Sequence, residues 1–178
     1  TPGHSSAASD VYKRQAFRFY DIDNAEAVTT TGQTVIKSTA DMANIKYNKE
    51  LGDPELDSNI YIDTDSVFFS AAPLLDKRIP SWRDNNQDTI AQYVNDIAEE
   101  MQDYLNDFYD ILSEKIFNVD KDKHRLEIKK EYVAKAGLWI AKKRYAQWII
   151  SDNGVPVDKL DVKGCLLYTS PSPRDGRI

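Results

Sequence analysis

Two aspartates, Asp63 and Asp65, lie two residues apart in the segment YIDTDSVFF, which spans residues 61–69. Aromatic and β-branched residues flank them, and such residues favour partly buried β-strands. We therefore predict a hairpin with the two acids at its turn. Side chains two apart on an extended chain point to the same side, so the carboxylates can converge on one point. Carboxylate oxygens are ligands that Mg²⁺ prefers, and a cation also offsets their mutual repulsion.

The aspartate pair alone leaves three interpretations open. An Asp in a turn often accepts hydrogen bonds from neighbouring backbone amides, which is a purely structural role. The same D-x-D spacing occurs in glycosyltransferases, where it binds a metal ion and the diphosphate of a nucleotide sugar. The third interpretation is a catalytic Mg²⁺ site of another kind, and other segments of the chain bear on the choice.

The densest basic cluster of the sequence is Lys142, Lys143 and Arg144, followed by Tyr145. The β-forming residues around it predict a strand, on which Lys142 and Arg144 face one side. Lys143 and Tyr145 then face the other side. Charged residues on an edge strand can simply protect a sheet from pairing with other chains. The functional alternative is contact with a nucleic-acid backbone, which fixes position without reading the base sequence.

The surrounding elements predict an α+β fold, with helices packed on an antiparallel sheet. Apolar residues at three- and four-residue steps predict helices over residues 20–47 and 87–117. The first of these helices is expected to stop at LGDP, which contains a Gly and a Pro. Strands are predicted over residues 59–62, 66–70, 125–134, 138–150 and 155–162, the last two joined by a turn at Asp152-Asn153-Gly154.

The composition argues against several classes of protein. The formal net charge of −6 argues against non-specific coating of nucleic acid. Cys165 is the only cysteine, and His124 is the only histidine between residues 16 and 164, so neither a disulfide framework nor a zinc site is expected. No apolar run approaches the ~20 residues of a membrane span. We therefore expect an intracellular protein without a membrane partner.

The two ends of the chain are related to each other through their coding DNA. Residues 10–15 (DVYKRQ) and 165–170 (CLLYTS) can be encoded by opposite strands of one nucleotide sequence. These peptides and their neighbours resemble translated sequencing adapters, which are set aside when a fold is inferred. We therefore expect residues 1–15 and 165–178 to be adapter-derived, non-native and disordered. The remaining residues 16–164 are expected to be an internal piece of a longer protein.

Three segments together resemble family B DNA polymerases, with the greatest likeness to phage and viral members. YIDTDS, at residues 61–66, is similar to the motif-C hairpin of that family. FRFYDIDNAEAVTTTGQ, at residues 17–33, resembles the stretch that follows the family's fingers helix. AKKRYAQWII, at residues 141–150, resembles the KKRY element. The segments occur in the family's order and cover nearly all of residues 16–164.

The resemblance implies a polymerase palm-type antiparallel sheet with packed helices and the start of the thumb at the C-terminal end. It implies a palm fragment over residues 16–120, which contains the motif-C hairpin, and a palm–thumb junction with the KKRY strand over residues 121–164. The family's motif A aspartate, and the fingers lysine that holds the incoming triphosphate, are then expected upstream of Ala16. We accordingly expect the chain alone to be inactive as a polymerase.

The resemblance also implies roles for individual residues. The parent enzyme would add deoxynucleotides to a primer 3′ end by nucleotidyl transfer assisted by two Mg²⁺ ions. Asp65 would bind both ions, and Asp63 would support the site and contact a metal ion or the primer end. The partners of the parent enzyme would be primer–template DNA, deoxynucleoside triphosphates and a processivity factor. If the parent is a phage protein, it would act in the host cytoplasm. The motif would be supported by Tyr61, Thr64 and Ser66, and DNA would be contacted by Lys142, Lys143, Arg144 and Tyr145.

Two alternatives to an active polymerase remain. A D-x-D glycosyltransferase predicts an upstream α/β half that binds the nucleotide, and it gives the AEAVT…GQ and KKRY segments no role. An inactive polymerase-derived module that only binds DNA is the other alternative. The retention of both Asp63 and Asp65 counts against it.

Overall fold

The computed structural model describes residues 21–164, so the predictions for residues 1–15 and 165–178 lie outside the described residues. The described part contains helices and antiparallel sheets, which confirms the α+β class. No helix in it combines the length and apolar character that crossing a membrane requires. The elements are α1 (Ile22–Leu51), β1 (Asn59–Asp63), β2 (Ser66–Phe69), α2 (Ala72–Arg78), a 3₁₀ turn (Trp82–Asp84), α3 (Gln87–Lys115), β3 (Tyr132–Ala141), β4 (Arg144–Asp152) and β5 (Val155–Lys163).

Helix α1 has a defined start and stop. The Asp21 carboxylate accepts hydrogen bonds from the backbone N–H groups of Asp23 and Asn24, which caps the helix. At the other end Gly52 adopts a left-handed φ of 76°, and its N–H donates to the Asn48 carbonyl at 2.8 Å. The predicted helix is therefore confirmed, and it continues to the glycine of LGDP.

The main hydrophobic core lies among the three helices. The apolar stripe predicted for α3 supplies its centre, with Ile97, Met101 and Leu105 almost fully buried. The short helix α2, which the sequence analysis did not predict, contributes Leu74 and Leu75. A buried hydrogen bond of 2.8 Å between the hydroxyls of Thr39 and Tyr109 also joins α1 to α3.

The strands form two separate antiparallel sheets, β1–β2 and β3–β4–β5. The strand predicted over residues 125–134 is wrong for most of its length, because β3 begins only at Tyr132. The preceding residues run along α3, and side chains of that helix take the place of a partner strand. The Ile128 N–H donates to Asn106 Oδ1, and the Lys130 N–H donates to Gln102 Oε1, both at 2.9 Å.

The predicted turn between the last two strands is confirmed. Asn153 and Gly154 connect β4 to β5 with φ angles of 49° and 82°. Two successive positive φ values are what a two-residue hairpin turn of type I′ requires, and Asn-Gly is the pair best suited to it.

Arg78 joins the three helices through two carboxylates. Its guanidinium donates to Glu50, with Nε to Oε1 at 2.6 Å, and to Glu100, with Nη2 to Oε2 at 2.8 Å. The hydrogen bonds from Arg78 lower the pKa of both carboxyls below the usual 4.5. A carboxyl whose pKa is lower in the folded than in the unfolded state stabilises the folded state. This stabilisation is fully present above the unfolded-state pKa, and therefore at neutral pH. It is lost as the pH falls through the lowered, folded-state pKa.

We expect Arg78→Met to lower the free energy of unfolding by about 1 kcal/mol at neutral pH, since the groups are partly exposed. Urea denaturation at pH 7 and at about pH 3 measures the difference between variant and wild type. The difference should shrink in acid. Arg83→Met is a control, because it removes a more exposed pair with Asp76. If Arg78→Met lowered the free energy of unfolding equally at pH 7 and at about pH 3, the assignment of the effect to the ionised Glu50 and Glu100 would be contradicted.

Candidate functional site

The two aspartates lie at the tip of the β1–β2 hairpin. The predicted hairpin is confirmed, but Asp63 is the last residue of β1 and pairs with Ser66, so only Thr64 and Asp65 form the turn. Asp63 is half-buried and Asp65 is exposed. Asp63 Oδ1 accepts hydrogen bonds from the Thr64 N–H at 3.0 Å and from the Thr64 hydroxyl at 3.2 Å. Local turn chemistry therefore fixes Asp63 and leaves the Asp65 carboxylate exposed to solvent; we call residues 63–65 the acidic turn.

One face of this hairpin carries both an acid and two aromatic rings. Side chains alternate along a strand, so Tyr61 and Asp63 share a face of β1. Their partners across the hairpin, Phe68 and Ser66, share it as well. The rings of Tyr61 and Phe68 contact each other with centroids 5.9 Å apart. This face meets the second sheet.

The basic cluster is a turn rather than a strand. Lys142 and Lys143 connect β3 to β4, so the prediction that they alternate on one strand is wrong; only Arg144 and Tyr145 begin β4. Lys143 has a φ of 60°, in the left-handed region that lysine rarely adopts. Its backbone N–H donates to the Tyr61 hydroxyl at 2.8 Å. We call residues 142–144 the basic turn.

An aromatic cluster fixes the two turns relative to each other. Tyr145 is only 8% exposed, and its ring lies 5.5 Å from that of Tyr61 and 5.8 Å from that of Phe68. Trp139, which pairs with Tyr145 in the sheet, contacts Phe68 at 6.0 Å. Tilted and edge-on contacts of this kind stabilise beyond the area they bury. The acidic turn and the basic turn therefore belong to one packed unit.

Electrostatics also couple the acidic turn to Tyr145, the residue that follows the basic turn. Burial raises the pKa of the Tyr145 hydroxyl, and the negative charge of Asp63 raises it further. The tyrosine therefore stays neutral at physiological pH and remains a packing element. The side chains of Lys142, Lys143 and Arg144 are exposed. None of the three takes part in an ion pair with another described residue.

Sequence reasoning identified Tyr61 and Tyr145 but missed Phe68 and Trp139. The signal that could have found Trp139 is the glycine two residues before it. A Cβ at Gly137 would lie 2.2 Å from the Trp139 ring, so the indole folds over a position that must lack a side chain. The signal that could have found Phe68 is the alternation of side chains along the hairpin, which places it on the same face as Tyr61.

The donor set fits Mg²⁺ in kind and is incomplete in number. Asp63 and Asp65 offer hard carboxylate oxygens on one turn, but a Mg²⁺ ion takes six ligands in octahedral geometry. Within residues 21–164, no group of three His, Cys, Asp or Glu side chains could hold a metal ion. Further ligands would come from water, from substrate phosphates, or from a carboxylate elsewhere in a longer protein.

Comparison with known proteins gives two relatives. The DNA-directed DNA polymerase of Escherichia phage RB69 is 28% identical to this chain, and the DNA-directed DNA polymerase of Enterobacteria phage T4 is 29% identical. Each similarity covers 89% of this chain and 18% of the relative. The chain therefore spans less than a fifth of the length of the curated relatives it matches. No family model matches it.

Proposed function

We propose that this chain is part of a family B DNA-directed DNA polymerase and that its acidic and basic turns lie at the active centre. Similarity to two phage DNA polymerases over most of the chain supports the proposal. The observation that carries it is the hydrogen bond from the Lys143 N–H to the Tyr61 hydroxyl. This hydrogen bond joins the basic turn, which is suited to DNA contact, to β1. Strand β1 leads into the acidic turn, which is suited to metal binding.

The acidic turn divides its work between two carboxylates. Asp65 is exposed and would bind both Mg²⁺ ions, while Asp63, held by Thr64, would support the site from the strand end. Mg²⁺ held by these aspartates would supply activation of the primer 3′ hydroxyl and stabilisation of the leaving pyrophosphate. Ser66 closes the hairpin opposite Asp63. The hydrogen bonds from Thr64 hold the Asp63 carboxylate in place before substrate arrives, which would lower the cost of ordering it.

The basic turn would contact the backbone of primer–template DNA. The chain is acidic overall, and its cations Lys142, Lys143 and Arg144 are adjacent and exposed. They would therefore concentrate the electrostatic attraction for DNA phosphates at the basic turn. Contacts to phosphates position a duplex without reading its sequence, which suits an enzyme that copies any template. Tyr145 is too buried to offer much surface to DNA, and its part is to hold the turn. Deoxynucleoside triphosphates would be the second substrate.

We expect Lys143→Ala to weaken the affinity for primer–template DNA about fivefold and to reduce the slope of log affinity against log salt by about 1. The physical reason is the loss of one phosphate contact and the counterion it displaces. Fluorescence anisotropy with several duplex sequences measures both quantities.

The control for this change is Lys121→Ala, an exposed lysine in the turn that follows α3. It should leave the affinity and the salt slope unchanged. Loss of affinity for only some duplex sequences would contradict a backbone contact, and equal effects of the two substitutions would contradict a role specific to the basic turn.

A further inference from the structure

The end of β5 lies against the basic turn. Lys163 pairs with Tyr145, so the next residue, Gly164, comes level with the start of β4. A Cβ at Gly164 would lie 2.5 Å from the Lys143 carbonyl oxygen and 3.0 Å from Arg144 Cγ. Real Cβ atoms essentially never approach a backbone atom as closely as 2.5 Å, so a side chain at residue 164 would displace the turn.

We propose that Gly164 is a positioning residue for the basic turn, an inference that rests on the proposed function for its consequence in DNA binding. The Lys143 N–H donates to the Tyr61 hydroxyl, and the Lys143 carbonyl oxygen lies in the space that a side chain at residue 164 would need. A lysine in the left-handed conformation persists only where the surroundings favour it. The Tyr61 hydrogen bond supplies one such contact, and the absence of a side chain at Gly164 leaves room for the carbonyl.

Backbone conformation alone does not account for Gly164. Gly154 has a similar left-handed φ of 82°, against 72° at Gly164, yet a Cβ at Gly154 would meet nothing within 4 Å. The two glycines therefore separate a requirement for the backbone angle from a requirement for space. Gly154 needs only the former, whereas Gly164 needs both.

The test compares Gly164→Asn with Gly154→Asn in the full chain. Asparagine tolerates a left-handed φ, so each substitution keeps the backbone conformation accessible and adds the same side chain, which begins with a Cβ. NMR hydrogen exchange and the chemical shift of the Lys143 amide report on the Tyr61 hydrogen bond, and anisotropy with a recessed-end duplex reports on DNA affinity. Gly164→Asn should expose the Lys143 amide to exchange and weaken DNA binding about fivefold. Gly154→Asn should do neither.

Each outcome decides a separate question. An unchanged Lys143 amide in Gly164→Asn overturns the positioning proposal, whatever the DNA affinity. A disturbed amide with unchanged DNA affinity supports the positioning of the turn and counts against the proposed function instead. If Gly164→Asn lowers the melting temperature so far that the chain unfolds, adding Lys143→Gly should raise the melting temperature more than the same change does in the wild-type chain, because glycine lets the carbonyl turn away from the new side chain. Failure of that rescue overturns the positioning proposal.

Discussion

Under the proposed function, Asp65→Asn should strongly lower nucleotide incorporation by the complete protein while leaving its affinity for primer–template DNA nearly unchanged. The amide is neutral and a poorer ligand for Mg²⁺ than a carboxylate. Losing several kcal/mol of transition-state stabilisation by the metal ions lowers the rate roughly 10³-fold. Asp65 is exposed in a turn, so the substitution should not disturb the core. Primer extension and duplex binding, measured on the same preparation, separate the two effects.

A matched control for this prediction is Asp122→Asn, which changes an exposed aspartate in a turn remote from the hairpin in sequence. Its rate of incorporation should equal that of the wild type. Unchanged turnover in Asp65→Asn would remove the metal assignment. If both variants lost incorporation equally, the effect would come from the loss of one negative charge anywhere on the chain and not from the acidic turn.

Tyr145→Ala should lower the free energy of unfolding by about 3 kcal/mol, which is the second large effect we expect. The ring is 8% exposed and contacts both Tyr61 and Phe68, so its loss leaves a cavity between the two sheets. Urea denaturation of the chain, monitored by circular dichroism, measures the change. Under the proposed function, the complete protein should also lose nucleotide incorporation with this change, because the aromatic cluster no longer links the acidic turn to the basic turn.

Tyr132→Ala is the control for the aromatic cluster. Tyr132 lies on β3 of the same sheet and is 45% exposed, so its truncation should cost about 1 kcal/mol or less. Equal destabilisation by the two substitutions would mean that Tyr145 does not link the sheets. A large loss of stability without any change in DNA affinity would mean that the cluster does not position the basic turn.

The elements with strong local signals could be predicted from the sequence. Gly52 stops α1 because its backbone is left-handed, and Asn153-Gly154 forms the expected turn for the same kind of reason. The acidic turn was predicted from the two acids between β-forming runs. In each case residues adjacent in sequence determine the conformation, and no distant contact overrides them.

The basic turn could not be predicted, because Lys142 and Lys143 are not turn-forming residues. The contact that stabilises Lys143 in its left-handed conformation comes from Tyr61, which lies 82 residues earlier in the chain. Tertiary contacts of this range have no local signal. The same reason explains the wrong strand before Tyr132, where side chains of α3 satisfy the backbone of a β-rich segment.

The left-handed lysine of the basic turn sets stability against function. Lysine in this conformation costs about 1 kcal/mol relative to glycine. Replacing Lys143 by glycine would make the chain more resistant to heat and would remove a cation from the basic turn. Under the proposed function, selection for thermal stability therefore favours glycine at position 143, whereas selection for affinity for the template favours lysine.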